Sequence, residues 1–279
     1  MVFAGAGVTA MAELIAAIQV APAALLYFDY DGTLAPLRRD PAHCSLAPGL
    51  VGALRQLSEH HSRPALDVAV ISGRSLADLR RQLGADLQHL ALAGNHGLEI
   101  ASAGGSWCDP RAAALVPQLD GVAERLQARL RTCPGAWLEH KGLSLSLHSR
   151  GLSCQERQQL EQQLQPLLAQ IHREGQFVLR RGRMVLEVRP AILHTKADAV
   201  QWLEAAARRR GTGSPQDPDG LLRLYFGDDA TDEDVFRLWP GVIGVRVGPG
   251  AVQTAARYRL SGPAGVARWL QSLAGQLGS

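Results

Sequence analysis

The sequence predicts an α/β fold in which a parallel sheet is interrupted by an inserted α+β module. Three observations predict it. Short apolar runs, each closed by a polar cluster, alternate with helical patterns near the start of the chain. The middle breaks that rhythm, with the order helix, two strands, helix, two strands. The alternation then resumes, so the module interrupts one sheet. The expected boundaries are 1–108 for the first part of the core, 109–188 for the module and 189–279 for the second part of the core. A chain of 279 residues, 46% hydrophobic and 20% charged, has material for a large core and an inserted module. That composition excludes a disordered chain, a collagen-like chain and a small disulfide scaffold.

The N-terminal stretch is apolar from Val2 to Phe28. It has no basic leader segment, and Glu13, Gln19 and Pro22 interrupt it. It reads as a short helix entering a strand, not as a membrane span or signal. Ala24-Leu-Leu-Tyr-Phe28 is a continuous apolar run, suited to a strand buried on both faces, and it ends in Asp29-Tyr-Asp-Gly-Thr33. Pro48 opens a helix with Leu50, Leu54 and Leu57 on one side. Leu66 to Ile71 is the next buried strand, ending in Ser72-Gly-Arg74. Ser75, with Asp78 three residues on, caps the helix that carries Leu76, Leu79 and Leu83. Leu90 to Ala93 is a third strand, ending in Gly94-Asn-His-Gly97.

In the module, Leu115, Leu119, Val122, Leu126 and Leu130 mark one long amphipathic helix. Ala136 to His148 reads as two strands joined at Lys141-Gly142. Ser153 and Glu156 make a capping box before Leu160, Leu164, Leu167 and Ile171. Phe177–Leu179 and Met184–Val188 alternate as the arms of a hairpin turning at Arg181-Gly182. Beyond the module, a helix follows Lys196. Gly211 to Gly220 is a Gly/Pro/Asp loop. Leu221 to Phe226 is a strand ending in Gly227-Asp-Asp229, and Thr231 with Asp234 caps a short helix. Val242 to Val247 is a last long strand, and Val266, Leu270, Leu273 and Leu277 mark a closing helix.

The formal charge of +3 is too mild to argue for nucleic acid or an anionic membrane as partner. None of the cysteines (Cys44, Cys108, Cys133, Cys154) lies in a C-x-x-C pair, so a zinc ribbon is not expected. Reduced thiols in a cytoplasmic protein are the simplest reading.

The chemistry is expected at three strand ends: Asp29/Asp31/Thr33, Ser72 and Asp228/Asp229. Ligands of open α/β sheets bind along that edge. Carboxylates crowded there need a divalent cation to stay ionised, and hard oxygen ligands favour Mg²⁺. An anionic phosphate beside them also requires a lysine and hydroxyl donors, which Lys196, Ser72 and Thr33 supply.

These residues resemble the motifs of the haloacid dehalogenase superfamily of phosphotransferases, in the order Asp29-Tyr-Asp-Gly-Thr33, Ser72, Lys196 and Gly227-Asp-Asp229. The chain resembles one family within it more closely, the trehalose-6-phosphate phosphatases. The residues that carry this are Asp29-Tyr-Asp-Gly-Thr-Leu34, Ile71-Ser-Gly-Arg74, Gly94-Asn-His-Gly97, Glu139-His-Lys-Gly142, Val185-Leu-Glu-Val-Arg-Pro190 and Gly227-Asp-Asp-Ala-Thr-Asp-Glu-Asp234. It departs from the family at Ala197, where members often have Gly, and at Ser149, where an aromatic is common.

The resemblance implies a Rossmann-like haloacid dehalogenase core with an α+β cap that closes over the active site. It implies that Asp29 is the nucleophile, forming an aspartyl-phosphate, and that Asp31 is the general acid and base. Mg²⁺ is implied at the Asp29 carboxylate, the Asp31 carbonyl and the Asp228 carboxylate. Ser72 and Lys196 hold phosphoryl oxygens, with Thr33, Asp229 and Asp232 in support. Substrate contacts are implied for Asp29, Tyr30, Asp31, Asn95 and His96 in the core, and for Glu139, Lys141 and Glu187 in the cap. The expected reaction is hydrolysis of trehalose 6-phosphate. Another sugar phosphate such as sucrose 6-phosphate, a phosphomutase, and a non-catalytic phosphatase-like subunit are the alternatives.

Overall fold

The computed structural model describes residues 8–38, 44–60, 64–182, 184–213, 220–250 and 253–278. Two compact units divide the chain: residues 1–107 with 194–279, and Cys108–Leu193. The inserted range read from the sequence was 109–188.

The first unit contains α1 (Val8–Val20), β1 (Ala23–Asp29), α2 (Pro48–Ser58), β2 (Ala65–Ile71), α3 (Leu76–Leu83), β3 (Ala91–Gly94), β4 (Glu99–Ser102) and β5 (Gly105–Cys108). The second holds α4 (Pro110–Ala114), α5 (Val116–Leu130), β6 (Trp137–His140), β7 (Leu145–His148), α6 (Cys154–Glu174), β8 (Phe177–Gly182) and β9 (Val185–Pro190). The first then resumes with α7 (Lys196–Arg209), β10 (Leu221–Gly227), α8 (Asp232–Leu238), β11 (Val242–Val247), β12 (Tyr258–Leu260) and α9 (Pro263–Leu277).

β1 is buried along its whole length, as its unbroken apolar run requires. Its alternate side chains enter two cores, because successive residues of a strand face opposite ways. Ala24, Leu26 and Phe28 pack with Leu14, Ile18, Leu54, Val266 and Trp269 of α1, α2 and α9. Ala23, Leu25 and Tyr27 pack with Val200, Leu203 and Val235 of α7 and α8. Helices thus cover both faces of an eight-stranded sheet of order β12-β11-β10-β1-β2-β3-β4-β5. β12 through β3 run parallel, and β4 is antiparallel to β3. The sequence reading did not foresee the short strands β4, β5 and β12.

The second unit is a four-stranded antiparallel sheet of order β6-β7-β9-β8. Leu119, Val122 and Leu126 of α5 and Leu160, Leu164 and Ile171 of α6 cover one face, against Leu145, Leu147, Leu186 and Val188. The opposite face carries polar side chains. The Ser153–Glu156 capping box opens α6 as expected.

Two local readings are corrected. β8 runs on through Arg181 and Gly182, so the hairpin turns later, at a Met184 of φ +63°. α8 is not capped by Thr231, which is itself helical and makes no side-chain capping bond. The Asp229 carboxylate caps it instead. Most of the expected 211–220 loop lies outside the described residues. Among those described, no helix is long and apolar enough to cross a membrane.

Candidate active site

Three strand ends meet at one edge of the core sheet. Asp29 closes β1, Ser72 follows Ile71 at the end of β2, and Asp228 follows Gly227 at the end of β10. Parallel register sets them level, with Phe28 opposite Phe226 and Asp29 opposite Ile71. β1 lies between β10 and β2, so the chain leaves it to one side and returns on the other. Such a reversal opens a crevice at the carboxyl ends of the strands.

The parity that sends Tyr27 toward α7 sends Asp29 the same way. Lys196, the first residue of α7, meets it there: Nζ lies 2.6 Å from Asp29 Oδ1 and 2.8 Å from Asp232 Oδ1. A capping box of Thr195 and Asp198 fixes where α7 begins. An ammonium at a helix N-terminus opposes the helix dipole, and these two carboxylates offset that. Burial pulls the lysine pKa down, but Asp232 and Asp29 reverse this and hold it well above the ordinary value. Tyr225 donates its hydroxyl to Asp232 Oδ1 at 2.9 Å, and the Asp229 N–H donates to Oδ2 at 3.0 Å.

Two glycines make the crowding sterically feasible. At Gly32 the backbone has φ +88°, and a Cβ there would sit 2.2 Å from Asp228 Oδ2. A Cβ on Gly227 would sit 2.2 Å from Asp232 Cγ. As a result Asp29, Asp228 and Asp232 each offer an oxygen within 4.8 Å of the others. Burial raises the Asp29 pKa well above the ordinary range; Lys196 opposes this, and Asp232, Asp229 and Asp228 add to it. Burial, with Asp232 and Asp229, pushes Asp228 up to about 7.

Asp228 Oδ1 is buried with no hydrogen-bond partner. An orphaned buried oxygen among crowded carboxylates fits a divalent cation, and an all-oxygen set fits Mg²⁺. Asp29 and Asp228 suit that ion. Asp232, with both oxygens already accepting protein donors, is better placed to anchor Lys196 than to bind metal.

Asp229 supports the site through its neighbours. Its Oδ1 accepts from Thr231 N–H at 2.8 Å, Thr231 Oγ1 at 2.7 Å and Asp232 N–H at 3.2 Å, so it caps α8 and positions Asp232. Burial acts to raise its pKa, but Lys196 and the Thr231 hydroxyl hold the carboxyl well below the ordinary range.

On the anion side, Thr33 is fully buried with Oγ1 unpartnered. Ser72 is 1% exposed and accepts from the Arg74 N–H at 3.2 Å, leaving its own O–H to donate.

Arg74 grips the Asp31 carboxylate as a two-pronged fork, Nε to Oδ2 and Nη2 to Oδ1, both 2.6 Å. Its Nη1 reaches Asp78 Oδ2 at 2.7 Å, and the guanidinium lies over Tyr30, 5.2 Å from the ring centre. Arg74 was quoted only as the end of Ile71-Ser-Gly-Arg74. The signal it offered was a charged side chain directly after a strand end.

Tyr30 turns away from the site. Its side chain is fully buried in the core beside Phe28, and its hydroxyl donates to the Cys44 carbonyl at 2.5 Å. Asn95 donates its amide to Glu99 Oε1 at 2.6 Å. Asn95 and His96 adopt φ of +47° and +58°, and their N–H groups bond Arg74 O at 2.7 Å and Ser72 O at 2.9 Å. This turn clamps the Ser72–Arg74 loop. The His96 ring lies against Gly73, where a Cβ would be 2.6 Å from Nε2.

In the second unit, Glu139, Ser146 and Glu187 form one row across the polar sheet face, since Glu139 pairs with Ser146 and Ser146 with Glu187. Lys141 Nζ is 3.5 Å from Glu187 Oε1, Arg189 also pairs with Glu187, and Glu139 Oε2 lies 2.9 Å from His148 Nε2.

Residues 27–262 match the Trehalose-phosphatase family model.

The chain belongs to the trehalose-phosphatase family. A trehalose-phosphate phosphatase of Mycobacterium marinum is 33% identical over 92% of this chain. The chain spans about 63% of that relative's length. A solved C. albicans trehalose-6-phosphate phosphatase C-terminal domain is 27% identical, with TM-score 0.75 over 95% of this chain and 96% of its own. A haloacid dehalogenase-like hydrolase from Bacteroides thetaiotaomicron, 17% identical, superposes with TM-score 0.57 over 89% of this chain and 98% of its own. The Rossmann-like fold expected from the motifs is thus the observed one.

Proposed function

We propose that this chain is a Mg²⁺-dependent phosphatase that hydrolyses trehalose 6-phosphate to trehalose and inorganic phosphate. The observation that carries the reading is the Lys196–Asp29–Asp228 cluster beside two buried hydroxyls, in a chain of this family. Asp29, held through Oδ1 by Lys196, attacks phosphorus, and the bond from phosphorus to the sugar oxygen breaks. Asp31 gives the leaving oxygen a proton, then takes one from the water that cleaves the aspartyl-phosphate. Ser72, Thr33 and Lys196 hold the phosphoryl oxygens as charge moves between them. The Asp29 and Asp228 carboxylates, with the Asp31 carbonyl, would hold a divalent cation, which would supply charge neutralisation for the anionic substrate.

Sugar recognition belongs to the polar cap face. A disaccharide presents many hydroxyls, and the charged groups of Glu139, Lys141 and Glu187 make the stronger hydrogen bonds to them. The deciding experiment is phosphate release from trehalose 6-phosphate, sucrose 6-phosphate and glucose 6-phosphate, with and without Mg²⁺. A clear preference for trehalose 6-phosphate, lost on chelation, is expected. Equal rates on all three would exclude the specific substrate, and no turnover on any would favour a binding subunit.

A further inference from the structure

We propose that Trp137 and His148 form an aromatic wall on the cap face that stacks against the unphosphorylated pyranose of the disaccharide. The inference rests on the functional reading above and adds residues to its sugar site.

Trp137 is 46% exposed, one of few large apolar side chains so open among the described residues. Most exposed apolar side chains in a protein are scattered and carry no meaning. Trp137 differs in being built into a polar cluster. Its ring stacks on His148 with centroids 4.0 Å apart and planes 15° from parallel. The imidazole covers one face of an indole that is otherwise nearly half exposed. His148 Nε2 in turn meets Glu139 Oε2 at 2.9 Å. Trp137, His148 and Glu139 are therefore one connected unit on the side of the sheet away from α5 and α6.

This combination suits a sugar more than another ligand. A pyranose has hydroxyls around its rim and C–H groups across its faces. The rim calls for charged hydrogen-bonding groups, which Glu139, Lys141 and Glu187 provide. The C–H face calls for a flat, polarisable surface with a negative quadrupole, which an indole provides. Charged groups alone would hold an inorganic ion equally well, and an aromatic alone would hold any apolar group.

Trp137→Ala tests the wall, with Trp137→Phe as the conservative variant. The expected result for Trp137→Ala is a KM for trehalose 6-phosphate raised about five- to tenfold, near 1–1.4 kcal/mol by the tenfold constant, with kcat changed less than about twofold. The ratio of kcat/KM on trehalose 6-phosphate to that on 4-nitrophenyl phosphate falls by the same factor. Trp137→Phe restores most of the loss. Trehalose alone, titrated into the wild type, shifts tryptophan emission, and Trp137→Phe abolishes the shift while the other four tryptophans remain. An unchanged KM, equal losses on both substrates, or an emission shift that persists in Trp137→Phe overturns the wall and leaves the functional reading standing. A wild type that prefers glucose 6-phosphate overturns the functional reading first, and the second ring with it.

Discussion

Asp29 and Tyr30 are neighbours in sequence and do opposite work, and parity explains why. Even positions of β1 face the α2 and α9 layer and odd positions face α7, so Asp29 meets Lys196 while Tyr30 joins Phe28 in the core. Asp29→Asn keeps the shape and removes the proposed nucleophile. Turnover is expected to fall by at least about a thousandfold, with only a small fall in thermal midpoint, because the change removes a carboxylate that burial disfavours while Lys196 keeps Asp232 as its partner. Steady-state assay and calorimetry of one preparation check both halves. Gly32→Ala places a methyl where Asp228 lies and forces a left-handed backbone. Its expected cost is at least about 1–2 kcal/mol of stability from the backbone alone, together with weaker Mg²⁺ binding, measured by denaturant unfolding and by titration. Asp29 and Asp228 were legible because each sits where an apolar run stops, and Lys196 because a helix begins there. Arg74 was not read as a partner of Asp31, because a fork between two strand ends depends on a distance that spacing does not report. The same parity, applied one residue past β1, would have withdrawn Tyr30 from the substrate contacts.

At the scale of elements, α7 shows how a helix end becomes part of a site. The Thr195 hydroxyl accepts from Ala197 N–H, and Asp198 closes the capping box on the Thr195 N–H and hydroxyl. Lys196 is thereby fixed at the first helical position. Thr195→Ala is expected to cost about 1 kcal/mol and to slow turnover, since the Nζ–Asp29 contact then depends on a frayed helix start. Chemical unfolding gives the first quantity and kcat the second; a stability loss with full kcat would show that burial alone positions Lys196. Long elements were legible from period and caps, as α5, α6 and α9 show. β4 and β12 were not, because four and three residues are too few to display a period of two. α8 was misread for another reason. Thr231 and Asp234 fit the capping pattern, but Thr231 is already in the helical region, and the carboxylate two residues earlier takes its N–H.

Across the whole molecule, the acidic cluster couples stability to pH and to cation. Without metal, the Asp228 pKa stands at about 7 against an ordinary 3.8. The folded state then holds more protons than the unfolded chain between those values. Its stability therefore falls as pH rises through that window and stays low above about 7. A bound divalent cation relieves this penalty. The rise in thermal midpoint on adding Mg²⁺ is expected to be larger at about pH 7.5 than at about pH 5.5, because the affinity grows as Asp228 loses its proton. A scan at both values with chelated controls tests it; an equal rise would remove Asp228 from the binding set. The division into core and insert was legible because the gap between Ser72 and Lys196 far exceeds one crossover. Lys196 was expected at the same site as Asp29, but the direct ion pair between them, 167 residues apart, was not, since only the folded sheet sets that distance.

The insertion also sets an order of events during synthesis. β1 pairs through Ala23 with Ala65 on one edge and with Leu221 on the other. Cys108–Leu193 is one unbroken segment that leaves the ribosome before β10 exists. Its helices and its four strands can close on one another at once. The nascent core meanwhile holds β1 with one edge unpaired and apolar on both faces, the kind of edge that recruits other chains. The vulnerable species is thus a half-built sheet carrying a finished insert. Slow elongation between β2 and β10 would prolong it, while a destabilised insert would not.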